Sequence, residues 1–186
     1  LLLLAAGSGI TPILSIAKTA LKKTDGKVVL VYGNRSEDDS MFSDEIQTLQ
    51  TAYDQRFEVV NIYSRKKAAN ALFGRIDMSH INYVRNTLFS QLNFDDFYIC
   101  GPSGMIEASV QALSDSGVND QNIHVEHFTG GGEIDRSLEG LVEYEVLLDD
   151  ETHSFSTDAS KTLLEAAIDA GVDPPYSCQG GVCGSC

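Results

Sequence analysis

Five short apolar runs, separated by stretches with helical spacing, constrain the fold of residues 1–128 more than any other feature. Leu1–Ala6, Val28–Tyr32, Phe57–Tyr63, Phe97–Cys100 and Ile123–Phe128 read as strands. Between the first two, Ile13, Ile16, Ala17 and Leu21 give helical spacing over Thr11–Leu21. Phe42, Ile46 and Leu49 recur at i, i+4 and i+7 and predict a second helix face. Ser79–Leu88 carries a weaker helical pattern, and Ile106, Val110 and Leu113 line a further helix that ends near Gly117. Strand–helix alternation of this kind implies α/β architecture, a parallel sheet flanked by helices on both faces.

Residues 129–140, TGGGEIDRSLEG, break the alternation and read as a linker between two domains. Beyond it, Leu141–Leu148 and His153–Ser156 predict a hairpin around Asp149-Asp150-Glu151. A helix over Ser160–Ala170 follows, with Leu163, Leu164, Ala167 and Ile168 inward and Gly171 as its stop. Residues 141–186 are few for an independent core.

Apolar residues make up 42% of the 186, enough for packed cores. Thirteen basic residues against 27 acidic ones give a net charge of −14, so nucleic acid and anionic membranes are poor partners. The opening LLLLAAGSGITP is too short a run for a membrane span and lacks the basic region of a signal peptide. It reads as a strand entered midway. With Cys186 inside a motif at the other end, the expectation is an internal piece of a longer protein.

Of four cysteines, Cys178, Cys183 and Cys186 fall in one loop and Cys100 lies far away. Clustering favours metal ligation in a reducing compartment, here the cytoplasm, over a disulfide framework. The spacing Cys178-x4-Cys183-x2-Cys186 is that of plant-type [2Fe–2S] proteins, whose fourth thiolate is distant in sequence. Gly180, Gly181 and Gly184 leave room for backbone around such a cluster and free amides to hydrogen-bond its sulfurs. A zinc knuckle is the competing reading, but zinc sites more often use two CxxC pairs or histidines. PYSCQGGVCGSC, preceded by a strand pair and a helix, resembles the first part of a plant-type ferredoxin domain, an α+β β-grasp fold. The fourth ligand is expected outside this chain.

In the first domain, Gly7-Ser8-Gly9-Ile10-Thr11-Pro12 follows a strand and opens a helix. Glycines there let a pyrophosphate approach a helix N-terminus, although a tight turn alone would also use them. Pro12 stands where the GxGxxG motif has its third glycine, which argues against an ordinary dehydrogenase. Arg35 follows the second strand, where an arginine suits a 2′-phosphate, and Ser64-Arg65-Lys66-Lys67 follows the third. A solvated loop explains the two lysines equally well.

These segments, together with Cys100-Gly101-Pro102-Ser103-Gly104-Met105 and Glu126-His127-Phe128, resemble the ferredoxin–NADP reductase superfamily in content and in order. The resemblance implies that Gly7, Gly9, Thr11 and Pro12 lie along the pyrophosphate of NADP, with Gly101 and Pro102 also in the nucleotide site. It implies that Arg35, Ser64 and Arg65 hold the 2′-phosphate and that Cys100 lies beside the nicotinamide. Glu126 would be a carboxylate near the hydride-transfer site and Phe128 an aromatic residue near a flavin, though packing alone would also explain both. His127 reads as a packing residue.

A nicotinamide domain followed by a ferredoxin domain resembles the reductase subunits of phenylacetyl-CoA epoxidases and related oxygenases. The resemblance implies electron transfer from NADPH through FAD, held mainly by a preceding domain, to the 2Fe–2S cluster and then to an oxygenase. Reductases of ring-hydroxylating dioxygenases, desaturases or hybrid-cluster proteins share this order. A ferredoxin carrier fused to a nucleotide-binding domain is the non-enzymatic alternative.

Overall fold

Alternate residues of a strand point to opposite faces, so a strand apolar at every position must be covered on both. β1 (Leu2–Ala6) and the stretch Val28–Tyr32 of β2 (Val28–Asn34) are of that kind. In the computed structural model, which describes residues 1–127, 137 and 139–176, they form the centre of a parallel six-stranded sheet. β3 (Phe57–Tyr63), β4 (Ala71–Phe73), β5 (Phe97–Cys100) and β6 (Ile123–Glu126) complete the order β4-β3-β2-β1-β5-β6.

Leu3, Ala5, Val28, Leu30 and Tyr32 share one face with residues of α1 (Ile10–Lys23) and α2 (Ser43–Ala52). Ile13, Leu14, Ala17 and Leu21 supply the buried stripe of α1. Leu2, Leu4, Val29 and Val31 face the other way, onto Ile81 of α3 (Met78–Tyr83) and Met105, Ile106 and Leu113 of α4 (Ser103–Asp115). Each such aliphatic side chain contributes about 1.5–3 kcal/mol on full burial. The expected α/β sheet with helices on both faces is therefore observed.

In the larger unit several details depart from the sequence reading: Phe42, expected on a helix face, precedes α2 as its N-cap and is 45% exposed. β4 has no counterpart in that reading, because three residues are too few to show a period; its register, Asn61↔Ala71 to Tyr63↔Phe73, makes it the edge strand beside β3. The weak helical pattern of 79–88 divides into α3 and a wide turn over Val84–Leu88, closed by the Phe89 N–H donating to the Val84 carbonyl at 2.9 Å.

The chain separates into two units, Leu1–Phe128 and Thr129–Cys186. In the second, β7 (Leu141–Leu148) and β8 (Glu151–Asp158) pair antiparallel. Asp149 and Asp150 turn the corner at φ 52° and 64°, the two positive values of a type I′ turn. α5 (Leu163–Asp169) starts later than the expected Ser160, because Thr162 and Glu165 form a reciprocal capping box. Ala166 and Ala167 are buried, while Leu163 and Ile168, expected inward, are 49% and 37% exposed. A seven-residue helix offers only a narrow stripe, and among the described residues it packs chiefly against β8. No helix among the described residues is long and apolar enough to cross a membrane.

Candidate functional site

All strands of the larger sheet run the same way, so the segments that leave their C-terminal ends gather along one edge. The chain steps outward from β1 through β2, β3 and β4, then returns to start again at β5 on the other side of β1. That reversal opens a crevice outside the ends of β1 and β5, the place where open α/β sheets bind ligands.

Gly7-Ser8-Gly9 forms a single 3-10 turn between β1 and α1. Gly7 sits at φ 52°, and Gly9 packs directly on the end of β5. A Cβ on Gly9 would lie 2.5 Å from the Cys100 carbonyl carbon and 2.9 Å from the Gly101 nitrogen, closer still to the carbonyl oxygen. Only glycine allows this approach. The Thr11 hydroxyl donates to the Ser8 carbonyl at 3.0 Å and fixes the turn to the first turn of α1. No side chain caps this 14-residue helix, and no acidic residue lies in its first turn. Pro12 falls early in the helix, where it costs no intrahelical bond.

The loops after β2 and β3 remain tied beyond the strands. The Ser64 N–H donates to the Asn34 carbonyl at 3.0 Å, and the Arg65 N–H to the Arg35 carbonyl at 2.9 Å. Arg35, Ser64 and Arg65 thus stand together at the sheet edge. Beside them, Lys66 pairs with Asp38 at 3.3 Å, and Lys67 lies over the Phe73 ring at 5.1 Å. The Asn34 side chain, its Nδ2 buried, lies beside Arg35, against the Tyr32 hydroxyl. A glycine cradle and an uncapped helix at one edge fit a nucleotide with phosphates.

Cys100 ends β5 opposite Glu126 of β6 in the sheet register. Its side chain is wholly buried among Leu3, Ala5 and α1, and Gly101-Pro102 carries the chain over it into α4. Burial first, and the nearby Glu126 carboxylate second, push the Cys100 thiol up to about 11. The folded chain holds this proton more tightly than the unfolded one does. The associated stability is complete below about pH 9, where an ordinary thiol begins to ionise, and is lost as pH rises through about 11. Peptide-resolved alkylation should therefore show Cys100 of the folded protein protected at pH 8 and reactive only as pH approaches 11. Ready alkylation at pH 8 would contradict the buried, protonated thiol.

Glu126 is exposed and borders a cavity of about 210 Å³ between α1 and β5–β6, where Tyr98 and His124 stack at 4.4 Å. The structure thus brings Gly7, Gly9, Thr11, Pro12, Arg35, Ser64, Arg65, Cys100, Gly101, Pro102 and Glu126 to one edge. Phe128, most of the expected linker, and Cys178, Cys183 and Cys186 lie outside the described residues. Tyr32 and Asn34 join the site from the structure alone; their only signal in the sequence is a lone tyrosine closing the aliphatic run Val28–Val31 just ahead of Arg35.

The family model described as the oxidoreductase NAD-binding domain matches residues 3–111, more than half of the chain. The chain belongs to that family. The model for the 2Fe-2S iron-sulfur cluster binding domain matches residues 146–186 and takes in all three clustered cysteines. Together the two matches define a ferredoxin reductase-type protein with a 2Fe–2S domain.

The chain is 34% identical over its whole length to a component of the 1,2-phenylacetyl-CoA epoxidase of Escherichia coli, and covers 54% of that protein. It is 33% identical, again over 100% of its length, to the ferredoxin reductase component of 3-ketosteroid-9-alpha-monooxygenase from Rhodococcus rhodochrous, covering 53% of it. The chain spans about half the length of the curated relatives it matches. Among solved structures, the CS-b5R domains of human Ncb5or in the NAD+ form align over 67% of this chain and 35% of that one. That alignment has a TM-score of 0.57 and 30% identity.

Proposed function

We propose that the protein containing this chain passes electrons from NADPH, through FAD and a 2Fe–2S cluster, to an oxygenase partner. The observation that carries the reading is the convergence of the glycine cradle, Arg35, Ser64, Arg65, Cys100 and Glu126 on one sheet edge, in a chain that also matches the 2Fe–2S family. We assign residues 1–128 to nucleotide binding, 129–140 to a linker and the remainder to the ferredoxin domain.

A nicotinamide gives two electrons as a hydride and a 2Fe–2S cluster takes one at a time, so a flavin between them supplies the conversion. In this arrangement Gly7 and Gly9 let the pyrophosphate reach the N-terminus of α1, while Thr11 and Pro12 hold that first turn in shape. Arg35, Ser64 and Arg65 receive the 2′-phosphate. Cys100, kept neutral by burial, ends the strand beneath Gly101-Pro102, the position assigned to the nicotinamide, and Glu126 presents a carboxylate beside it. Phe128 follows two residues beyond Glu126 and is assigned to the flavin side. Cys178, Cys183 and Cys186 supply three thiolates of the kind a 2Fe–2S cluster requires.

The relative named for phenylacetyl-CoA epoxidase makes that oxygenase the first partner to test, with the ketosteroid monooxygenase as comparison. A cytoplasmic location belongs to the same proposal and rests on the clustered thiols. Full-length protein, expressed with its flavin, should bleach at the flavin absorption on adding NADPH and show a reduced-cluster EPR signal. Absence of bleaching with both NADPH and NADH would refute the electron-transfer reading.

A further inference from the structure

We propose that Tyr32 is a positioning residue that sets the distance between the two nucleotide-binding loops; the inference rests on the NADP reading above. Tyr32 is 1% exposed and projects from β2 toward α1 and α2, among Leu3, Ala5, Ile10 and Ile46. Only its hydroxyl reaches polar groups. That oxygen accepts the Met41 N–H at 3.1 Å. Its single proton lies between two carbonyls, Met41 at 3.4 Å and Gly7 at 3.5 Å. The Asn34 side chain stands close to the same oxygen.

The two carbonyls belong to different loops. Gly7 opens the glycine turn at φ 52°. Met41 closes the loop that begins with Arg35 and precedes Phe42, the N-cap of α2, which is held at φ 59°. A bulky residue in that left-handed region persists only where its surroundings over-determine it. The hydroxyl accepts the N–H of the residue just before it and so supplies part of that constraint, which leaves its one proton to be shared between the Met41 and Gly7 carbonyls. Burial pushes the Tyr32 phenol up to about 12, so it remains a neutral donor throughout the working range. One hydroxyl therefore links the turn assigned to the pyrophosphate with the loop assigned to the 2′-phosphate.

The link predicts a particular loss. A ligand that spans both loops depends on their spacing, while one that lacks the 2′-phosphate depends mainly on the glycine turn. Calorimetric binding of 2′-phospho-ADP-ribose and of ADP-ribose to the full-length protein measures the two separately and needs no flavin chemistry. Tyr32→Phe keeps the ring and removes only the oxygen. It should weaken 2′-phospho-ADP-ribose about fivefold more than ADP-ribose, the scale of one modest hydrogen bond. KM for NADPH should rise in parallel, with kcat unchanged. Equal weakening of the two ligands, or none, overturns the positioning role. If the unsubstituted protein binds neither ligand, the nucleotide reading itself falls and the inference with it. Hydrogen exchange on the unsubstituted protein gives a check that needs no variant. The Met41 amide should be protected well beyond its loop neighbours, and exchange at loop rates overturns the link directly.

Discussion

Gly9→Ala is expected to weaken nucleotide binding by about a hundredfold or more and to lower the melting temperature by roughly 10 °C, a larger effect than any other single change at this edge. The cause is backbone against backbone. The new methyl would fall within 2.9 Å of Gly101 N and 2.5 Å of the Cys100 carbonyl carbon, and no flexible side chain stands there to swing away. Either the glycine turn lifts off β5 or β5 shifts in the sheet. Overpacking of this type costs about 1–3 kcal/mol and sometimes more, against a total stability of only about 5–15 kcal/mol. The turn that would receive the pyrophosphate is the part displaced, so affinity should fall by about a hundredfold or more, equivalent to losing two charge-assisted hydrogen bonds. Gly104→Ala is the matched control. Nothing lies within 4 Å of a Cβ at Gly104, which sits inside α4, so this change should leave stability equal or slightly raised. Thermal unfolding of both variants checks the pair. A Gly9→Ala protein as stable as its parent would show that the turn does not pack on β5 as described.

The contrast between these glycines shows what the sequence could and could not carry. Both lie in short glycine-containing segments at a strand–helix junction. Which of them needs to be glycine depends on β5 arriving beside the turn, a contact between residues about 90 positions apart in sequence. The strands themselves are legible because burial on both faces makes every position apolar, as in Leu2–Ala5 and Val28–Tyr32. β4 is not, since a three-residue edge strand owes its existence to pairing with Asn61–Tyr63 and not to its own pattern. Arg35, Ser64 and Arg65 are legible as strand-end residues. Their adjacency is a consequence of β2 and β3 pairing in register, with the ladder extended by the Arg65–Arg35 backbone bond. Tyr32 fits the aliphatic run as an ordinary core residue, and its function lies in a hydroxyl whose partners sit nine and 25 residues away.

Removing the arginines should alter specificity where the glycine change alters everything. Arg35 and Arg65 are set side by side through backbone bonds, which do not depend on their side chains, so Arg35→Ala and Arg65→Ala should keep that link and fold, losing at most about 1 kcal/mol with the side chains' own surface contacts. A guanidinium gives a phosphate charge-assisted, bidentate contacts, and a hydrogen bond to a charged group contributes about 1.5–3 kcal/mol. Each variant should therefore lose about 10- to 100-fold in kcat/KM for NADPH, while NADH, which lacks the 2′-phosphate, changes by less than about threefold. The acidic background sharpens the expectation. With 27 acidic residues against 13 basic ones, the long-range field repels the nucleotide, and local cations must overcome it. Salt screens both that repulsion and the local attraction, so removing the two arginines should make NADPH use respond more favourably to rising salt than it does in the parent, while the salt response of NADH use changes little. Because the two residues share one phosphate, their effects should combine to less than the sum of the single losses in free energy. Steady-state kinetics with both nucleotides, for four proteins at two salt concentrations, measures all of these terms. Equal losses for NADPH and NADH would remove the 2′-phosphate from Arg35 and Arg65 and leave them as surface charges of the loop.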